Sequence, residues 1–305
     1  MAHRYSGVWP VAPTPFHENG SLDLDGMKRV IDCMIDQKVD GICILANFSE
    51  QFLLSDDERA TLTRLCLEHA SGRVPIIVTA SHFSTGVVEA RAREAAAMGA
   101  AMLMLMPPYH GALLRADEEG IIEHFARASD AGNIPIMVQD APISGVNLSV
   151  SLMVRMAREI EQVKLFKIET PGTAAKLRAL IEAGGEAIEG PFDGEEAITL
   201  MADMDAGATG SMTSATLPDL IRPSIISHLE GRRDEARTIY KELLPLINFE
   251  NRQCGWRSTK AVMQAGNVFK SDYVRHPTRP LHPSTKAELL ELAREANPIA
   301  LSWGL

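Results

Sequence analysis

The sequence of 305 residues has few cysteines and none of the common metal-binding motifs. It contains only 4 cysteines and 5% aromatic residues, no cysteine pair with CxxC spacing, and no HExxH or HxH motif. Cys66 and His69 stand three residues apart, but no second pair of ligands accompanies them, so a zinc site has no support. We therefore expect Cys33, Cys43 and Cys66, which lie in apolar stretches, to be small buried hydrophobic residues, and we expect no metal ion and no cofactor.

Positive charge is scarce as well, with 30 Lys and Arg against 40 Asp and Glu and a formal net charge of −10. This balance argues against binding of nucleic acid or of an anionic membrane surface. No apolar run approaches the roughly 20 residues of a membrane span, and the N-terminus lacks the apolar core of a signal peptide. The sequence thus predicts a cytoplasmic protein without nucleic-acid or membrane partners.

Nucleotide-binding glycine motifs are also missing, because neither GxGxxG after the first strand nor GxxxxGK[ST] occurs. What the chain does have is a regular alternation of short apolar runs with stretches of helical periodicity, which predicts βαβ units around a parallel sheet. The predicted strands are Val8–Val11, Gly41–Leu45, Pro75–Thr79, Ala101–Met106, Pro135–Val138, Val163–Ile168, Ala187–Ile188 and Ala208–Thr213.

Helices are predicted between these strands, the second opened by a capping box at Ser55 and the others over Asp25–Asp36, Thr85–Met98, Asp117–Ala131, Ser149–Ile160, Thr173–Ala183 and Glu195–Ala206. Three more follow the last strand, at Asp234–Ile247, Ser258–Ala265 and Ser284–Ala296. Eight units favour an α/β fold of the (β/α)8 TIM-barrel type over an open sheet. We predict a catalytic barrel over residues 1–230 and a C-terminal helical appendage over 231–305.

Reacting groups in such barrels lie at the C-terminal ends of strands, which directs attention to Lys167 and Glu169. Side chains alternate along a strand, so these two share one face. A desolvated lysine with a lowered pKa can attack a ketone as the free amine, and a carboxylate beside it can move protons. A structural salt bridge fits the same pattern and Lys164 is equally eligible, so the strand alone leaves these readings open.

Further motifs run through nearly the whole chain: Gly7–Phe16 with its terminal Thr-Pro-Phe, Val39–Ile42, Gly207–Ser211, and Arg275–Pro277 followed by Pro280-Leu281. Together they resemble the family of dihydrodipicolinate synthase and N-acetylneuraminate lyase. Members of this family form an imine between a lysine of the sixth barrel strand and a pyruvate-like keto acid. The resemblance implies that Lys167 is that lysine, that the substrate is a small 2-keto acid, and that the protein is a homotetramer.

The carboxylate-binding loop departs from the family pattern. The family usually has Gly-Thr-Thr-Gly-Glu or Gly-Ser-Thr-Gly-Glu, whereas this chain has Ala-Asn-Phe-Ser-Glu at residues 46–50. The hydroxyl groups are missing from the two usual positions. The resemblance then implies that Asn47, Phe48 and Ser49, with backbone N–H groups, bind the substrate carboxylate, although Ser49 equally suits a turn.

The family's catalytic tyrosine is also absent, because the Tyr-Asn-x-Pro pattern is replaced by Gln139-Asp140-Ala141-Pro142. Glutamine cannot shuttle the proton that aldol cleavage takes from the C4 hydroxyl. Tyr109 matches a tyrosine that the family places near the active site, often at a subunit interface, or it is simply an aromatic residue on a loop. The resemblance implies that Gln139 and Tyr109 contact the substrate.

A second acidic position follows the seventh strand. Gly194, Glu195 and Glu196 lie where lyase relatives bind the polyol tail, and Ser214 matches another tail-binding position. Acidic residues here also suit the first turn of a helix, where they interact well with the macrodipole. On the functional reading, Glu196 is the second catalytic carboxylate, and Gly194 and Ser214 bind substrate.

One lysine and two carboxylates, without the aldol tyrosine, suit dehydration better than carbon–carbon cleavage. We expect a hydro-lyase that removes water from a 2-keto-3-deoxy sugar acid through a Schiff base on Lys167, with Glu169 and Glu196 as acid and base. The pattern Phe-Lys-Ile-Glu at 166–169 with Ala-Asn-Phe-Ser-Glu at 46–50 and no tyrosine resembles the dehydratases of this family. This resemblance implies a reaction that turns 2-keto-3-deoxy-L-arabonate into 2-oxoglutarate semialdehyde in L-arabinose catabolism. Three alternatives stay open: a synthase or aldolase of the same family, a catalytically silent keto-acid-binding barrel, and a structural barrel whose lysine is merely paired.

Overall fold

The computed structural model describes residues 5–109 and 116–305. Within these ranges the strands are β1 (Gly7–Val8), β2 (Ile42–Ile44), β3 (Ile76–Thr79), β4 (Met102–Leu105), β5 (Ile136–Asp140), β6 (Val163–Ile168), β7 (Gly190–Asp193) and β8 (Gly210–Ser211). The helices between them are α1 (Leu24–Asp36), α2 (Asp56–Ala70), α3 (Thr85–Ala97), α4 (Glu118–Gly132), α5 (Val150–Glu159), α6 (Thr173–Gly184) and α7 (Leu200–Asp205). Four helices follow β8: α8 (Pro218–Leu229), α9 (Arg233–Phe249), α10 (Arg257–Ala265) and α11 (Pro283–Ala296).

The eight strands form one sheet in the order β1-β8-β7-β6-β5-β4-β3-β2. The pairs from β3 through β8 are parallel. Almost every strand residue is buried, as expected when helices cover a parallel sheet. The strand order and the helix after each strand are those of a (β/α)8 barrel, so the prediction of an α/β fold with a parallel sheet is confirmed.

The chain divides into two compact units, and β4 to β8 belong to the first, which comprises residues 5–6, 77–109, 116–195 and 199–212. Helices α3 and α4 pack on each other, as do α5 and α6. Phe125, Phe166 and Phe192 are fully buried in this unit. The register aligns Lys167 of β6 with Gln139 of β5 and with Phe192 of β7, so that side chains at these positions point to the same face.

The second unit comprises residues 7–76, 196–198 and 213–305. In this unit Val11 forms parallel bridges with both Cys43 and Ser214, and its N–H group donates to the carbonyl of Thr213 at 2.9 Å. Helices α8 and α9 pack together, and α11 packs on α9 and α10. The four cysteines are free and buried, which confirms the expected burial of Cys33, Cys43 and Cys66.

Three sequence-based assignments were wrong. The seventh strand was expected at Ala187–Ile188, but β7 begins at Gly190. The prediction missed it because the strand starts with Gly190-Pro191, a pair that is typical of turns. The helix expected from Glu195 begins only at Leu200, because Glu196 and Ala197 take left-handed backbone conformations with φ of 52° and 67°. Helix α8 was missed, since Pro223 lies inside it.

Helices α9, α10 and α11 are confirmed within a few residues of the predicted bounds. Among the helices of the described ranges, none combines the length and the apolar character that crossing a membrane requires. The same ranges contain no group of three or more His, Cys, Asp or Glu side chains that could hold a metal ion.

Candidate active site

The two residues singled out on β6 lie in direct contact. The Nζ atom of Lys167 forms an ion pair with Oε1 of Glu169, and their side chains are 3% and 14% exposed. The backbone N–H of Glu169 donates to the carbonyl of Asp140 at 2.9 Å, which extends the parallel pairing of β6 with β5 beyond the strand end. The predicted proximity of Lys167 and Glu169 is therefore confirmed.

Lys164, the other lysine of β6, has a different environment. Its side chain is 31% exposed, and its Nζ atom lies 3.9 Å from Oε1 of Glu189. Because a free amine is favoured by desolvation, the buried Lys167 is better suited than Lys164 to act as a nucleophile. Burial thus separates two lysines that the sequence left equally eligible.

Gln139 lies beside this pair and is fully buried. Its Nε2 group donates a hydrogen bond of 2.7 Å to Oε1 of Glu169, the oxygen that also faces Lys167. Oε1 of Gln139 is one of the buried oxygen atoms in the described ranges that have no hydrogen-bond partner. The amide can orient the Glu169 carboxylate and accept a hydrogen bond from a bound molecule, but it has no proton to exchange near neutral pH.

Sequence reasoning missed a second ion pair next to Gln139, between a half-buried lysine and a buried carboxylate. Nζ of Lys176 donates to Oδ2 of the fully buried Asp140 at 2.5 Å and to Oδ1 of Asn147 at 3.3 Å. Lys176 also lines a cavity of about 640 Å³, formed by the loop after β5 and by Thr170 and Pro171 ahead of α6. The cavity reaches Thr170, the residue directly after Glu169. Only proximity in space, which the sequence does not give, connects these residues.

Gly194 packs tightly against the segment that carries the lysine. Its N–H donates to the carbonyl of Ile168 at 2.9 Å. A Cβ atom at this position would lie 2.8 Å from that carbonyl oxygen, 2.7 Å from Cγ of Glu169 and 2.8 Å from Cγ of Lys167. The absence of a side chain here is thus a condition for the observed placement of Lys167 and Glu169.

We expect Gly194→Ala to lower both stability and turnover. The added methyl group overlaps a backbone carbonyl that cannot yield without shifting β6, which typically costs about 1–3 kcal/mol and here displaces Lys167 and Glu169. Urea unfolding and kcat measure the two effects. Gly86→Ala in α3 is the control, since a Cβ atom there would lie 4.0 Å from Oγ of Ser84 and meet no closer atom. Unchanged kcat in Gly194→Ala would contradict the expected displacement of Lys167 and Glu169.

The loop after β7 is anchored by Asp193, which is fully buried. One carboxylate oxygen accepts a hydrogen bond from the hydroxyl of Ser211 at 2.5 Å, and the other accepts one from the N–H of Glu195 at 3.0 Å. Burial, followed by the charges of Asp193 and Glu195, raises the pKa of the nearby Asp203 to about 7. Neither Asp193 nor Asp203 was singled out from the sequence.

Glu195 and Glu196 do not lie in the first turn of a helix, so the macrodipole does not account for them. Both are half-buried in the turn that precedes α7. Glu196 takes a left-handed conformation and belongs to the second unit, whereas Lys167 and Glu169 belong to the first. Its role as the second catalytic carboxylate stays a prediction.

The substituted carboxylate loop forms a single 3₁₀ turn, Asn47–Ser49. The hydroxyl of Ser49 donates to the carbonyl of Ala12 at 2.6 Å and accepts from the N–H of Ala46 at 3.2 Å, so it is used within the fold. The first N–H groups of a helical turn, here those of Asn47 and Phe48, have no acceptor inside the turn. Backbone donors are therefore the better candidates for binding a carboxylate, and the substrate contacts of all three residues stay predictions.

Ser214 is buried, and its oxygen accepts a hydrogen bond from the N–H of Thr216 at 3.2 Å. It also hydrogen-bonds Glu250, a fully buried carboxylate that accepts from Thr216 and Ser258 at 2.6 Å each. Burial raises the pKa of Glu250 in spite of these hydroxyl groups. A tail-binding role for Ser214 stays a prediction, as does a substrate contact by Tyr109, which lies half-buried after β4.

Comparison with known proteins yields relatives along almost the entire chain. The chain is 59% identical over 300 residues to the L-2-keto-3-deoxyarabonate dehydratase of Azospirillum brasilense, and the alignment covers 98% of this chain and 97% of the relative. It is 30% identical over 301 residues to a 4-hydroxy-tetrahydrodipicolinate synthase of an Exiguobacterium species, covering 97% and 99% of the two chains.

Solved structures show the same fold. The 4-hydroxy-tetrahydrodipicolinate synthase of Methylacidiphilum fumariolicum SolV superposes with a TM-score of 0.88 at 24% identity, covering 96% of both chains. The dihydrodipicolinate synthase of Aquifex aeolicus gives a TM-score of 0.89 at 23% identity, covering 96% of this chain and 99% of the other. The model of the dihydrodipicolinate synthetase family matches residues 4–296. The chain belongs to the dihydrodipicolinate synthetase family.

Proposed function

We propose that the protein is a hydro-lyase that removes water from 2-keto-3-deoxy-L-arabonate and releases 2-oxoglutarate semialdehyde, through a Schiff base on Lys167. The relative from Azospirillum brasilense, a dehydratase with 59% identity, supports this assignment. So does the family, in which a lysine of the sixth strand forms the imine.

One observation carries the proposal: Gln139 stands on β5 in register with Lys167 and donates to Glu169 instead of offering a phenol. Aldol cleavage needs a group that takes the proton of the C4 hydroxyl, and an amide cannot do so. Dehydration instead needs a base at C3 and an acid at the C4 oxygen, which carboxyl groups can supply. This feature also argues against a synthase or an aldolase of the same family.

The reaction follows from these groups. The Lys167 amine condenses with the C2 ketone and releases water, and the iminium acidifies the C3 protons. A carboxylate, Glu169 or Glu196, removes a C3 proton, and the enamine expels the C4 hydroxyl as water after protonation by the other carboxyl group. Loss of a C5 proton and tautomerisation give the aldehyde, and hydrolysis of the imine frees the product and restores Lys167.

Substrate binding is assigned to two groups of residues. Backbone N–H groups of the turn with Asn47, Phe48 and Ser49 bind the carboxylate. The remaining contacts, with the hydroxylated tail and the reacting carbons, come from Tyr109, Gln139, Gly194 and Ser214. No metal ion or organic cofactor takes part in this scheme, because the iminium supplies the electron sink.

The larger organisation is proposed on the same basis. Residues 1–230 form the closed catalytic barrel and residues 231–305 its C-terminal helical appendage. The protein is a homotetramer in the cytoplasm, a reducing compartment that agrees with four buried free thiols. Light scattering after size-exclusion chromatography measures the oligomer directly, and a monomeric mass would contradict the tetramer.

The decisive experiment is a product assay on 2-keto-3-deoxy-L-arabonate by mass spectrometry, without added metal or nicotinamide. We expect the loss of one water and the appearance of 2-oxoglutarate semialdehyde. Pyruvate with glycolaldehyde would instead identify an aldolase. Trapping of an imine without any turnover would identify a keto-acid-binding protein, and the absence of both would contradict Schiff-base chemistry.

A further inference from the structure

A lysine of the second unit that plays no part in the proposed chemistry is completely buried. Lys260 of α10 is 0% exposed and is one of the largest fully buried side chains. Removing an ammonium group from water costs several kcal/mol, and a buried ion pair often repays no more than that cost. Stability alone is therefore a weak reason for a charge at this position.

The ammonium group of Lys260 has two oxygen acceptors and one aromatic ring around it. Its Nζ atom forms an ion pair with Oε1 of Glu50, whose side chain is likewise 0% exposed. It donates to the carbonyl of Tyr273 at 2.8 Å and lies 4.2 Å from the ring centroid of Phe16. Arg275 contacts the same ring at 4.3 Å. The ammonium group of Lys260 is thus paired directly with the carboxylate of Glu50.

Glu50 is held in an unfavourable backbone conformation, with φ 58° and ψ 41°. A residue with a Cβ atom seldom adopts this left-handed conformation, and it persists where the surroundings enforce it. Nζ of Lys260 donates to Oε1 of Glu50, and the backbone N–H of Arg275 donates to Oε2 at 3.0 Å. Glu50 directly follows the Asn47–Ser49 turn and caps its C-terminal end.

The opposite side of this turn is fixed too. The hydroxyl of Thr14 donates to the carbonyl of Ser49 at 2.8 Å, and the hydroxyl of Ser49 donates to Ala12. With both ends held, the N–H groups of Asn47 and Phe48, which have no acceptor inside the turn, have a fixed direction. Oriented backbone N–H groups of this kind bind anionic groups such as carboxylates.

We propose that Lys260 is a positioning residue for keto-acid binding. Its ion pair with Glu50 fixes the Asn47–Ser49 turn, and the N–H groups of this turn bind the substrate carboxylate. The inference rests on the proposed function, because it takes the carboxylate-binding role of the turn from there. It extends the substrate-binding machinery to a helix that contributes no group to the chemistry.

Because Lys260 can lose its proton, the ion pair between Lys260 and Glu50 depends on pH. The charged groups that face it are Glu50, Arg275 and Asp272. Burial lowers the pKa of Lys260 to about 8, Arg275 acts in the same direction, and Glu50 and Asp272 oppose it. The ion pair is therefore present below pH 8 and is lost above it, so binding of a carboxylate weakens as the pH rises through that value.

The test compares two ketones that differ in the carboxylate. Pyruvate and hydroxyacetone, which has a hydroxymethyl group instead, are each trapped on Lys167 with borohydride, and the half-saturating concentrations are measured. Lys260→Met should raise the value for pyruvate about 10- to 100-fold, as expected for losing hydrogen bonds to a charged group, and leave that for hydroxyacetone unchanged. Retained trapping of hydroxyacetone shows that the variant is folded.

Lys260→Met leaves the buried carboxylate of Glu50 without its cation, and a double variant controls for the effect of that unpaired charge. Glu50→Gln with Lys260→Met removes both charges at nearly constant volume, and we expect its affinity for pyruvate to stay low although its melting temperature recovers. Arg222→Met breaks another ion pair of the same unit, with Asp40, and should leave the ratio of the two half-saturating concentrations at the wild-type value.

The outcomes are distinguishable. Wild-type affinity for pyruvate in both Lys260 variants, or equal weakening of the two ketones, overturns the positioning role and leaves the proposed function intact. A wild-type protein that traps neither ketone refutes the proposed function and this inference together. In the wild type, the ratio of the half-saturating concentrations of pyruvate and hydroxyacetone should rise above pH 8. Such a rise, if it is absent from Lys260→Met, supports the inference independently.

Discussion

Lys167→Ala is expected to abolish turnover of 2-keto-3-deoxy-L-arabonate, with a loss of at least about 10⁴-fold in kcat, because no imine can form without the amine. Borohydride reduction in the presence of a keto acid should add the mass of the reduced imine to the wild-type protein and not to the variant. Peptide mapping should locate the modification on Lys167, whose side chain is only 3% exposed.

Lys164→Ala is the matched control, because it removes a lysine from the same strand at a half-exposed position. We expect its turnover and its trapping to stay near wild-type values. Modification of Lys164 in the wild type, or full trapping in Lys167→Ala, would show that the nucleophile has been assigned to the wrong lysine. Neither outcome depends on which sugar acid is the natural substrate.

The sequence predicts the immediate surroundings of Lys167 well for a simple reason. Strand β6 is six residues long and nearly all buried, and the predicted bounds Val163–Ile168 equal those in the structure. Alternation along a strand then places Lys167 and Glu169 on one face without any tertiary information. Local rules suffice where the neighbours in space are also neighbours in sequence.

The same rules fail where the backbone departs from the regular element. Glu196 and Ala197 have positive φ values although neither is glycine, so the helical periodicity after β7 gave a helix start several residues too early. Helix α8 was overlooked because Pro218 and Pro223 suggest a loop, although a proline in the first turn is favourable. Tertiary packing overrides local preference at these positions.

Contacts between distant segments are the part that no pattern supplies. Gln139 and Glu169 were both named from the sequence, but their hydrogen bond depends on the register of β5 against β6. Lys260 and Glu50 are 210 positions apart, and a lysine in an amphipathic stretch looks like a surface residue until its burial is known. The site's residue types are therefore predictable, whereas their partners are not.

Glu169→Gln is expected to separate imine formation from dehydration. The amide keeps the shape of the side chain and leaves Lys167 in place, so a keto acid should still be trapped, whereas kcat should fall by about 10²- to 10⁴-fold for the loss of one proton transfer. Glu189→Gln, which alters the carboxylate facing Lys164, is the control and should retain kcat.

Glu196→Gln should lower kcat by a similar factor, and solvent exchange then distinguishes the two carboxylates. In D2O the enzyme–substrate imine exchanges its C3 protons only when the base is intact, so the variant that loses both exchange and dehydration lacks the base. The variant that keeps exchange but releases no water lacks the acid. Full turnover in both Glu169→Gln and Glu196→Gln would contradict the two-carboxylate mechanism, because an amide can neither remove the C3 proton nor protonate the departing hydroxyl.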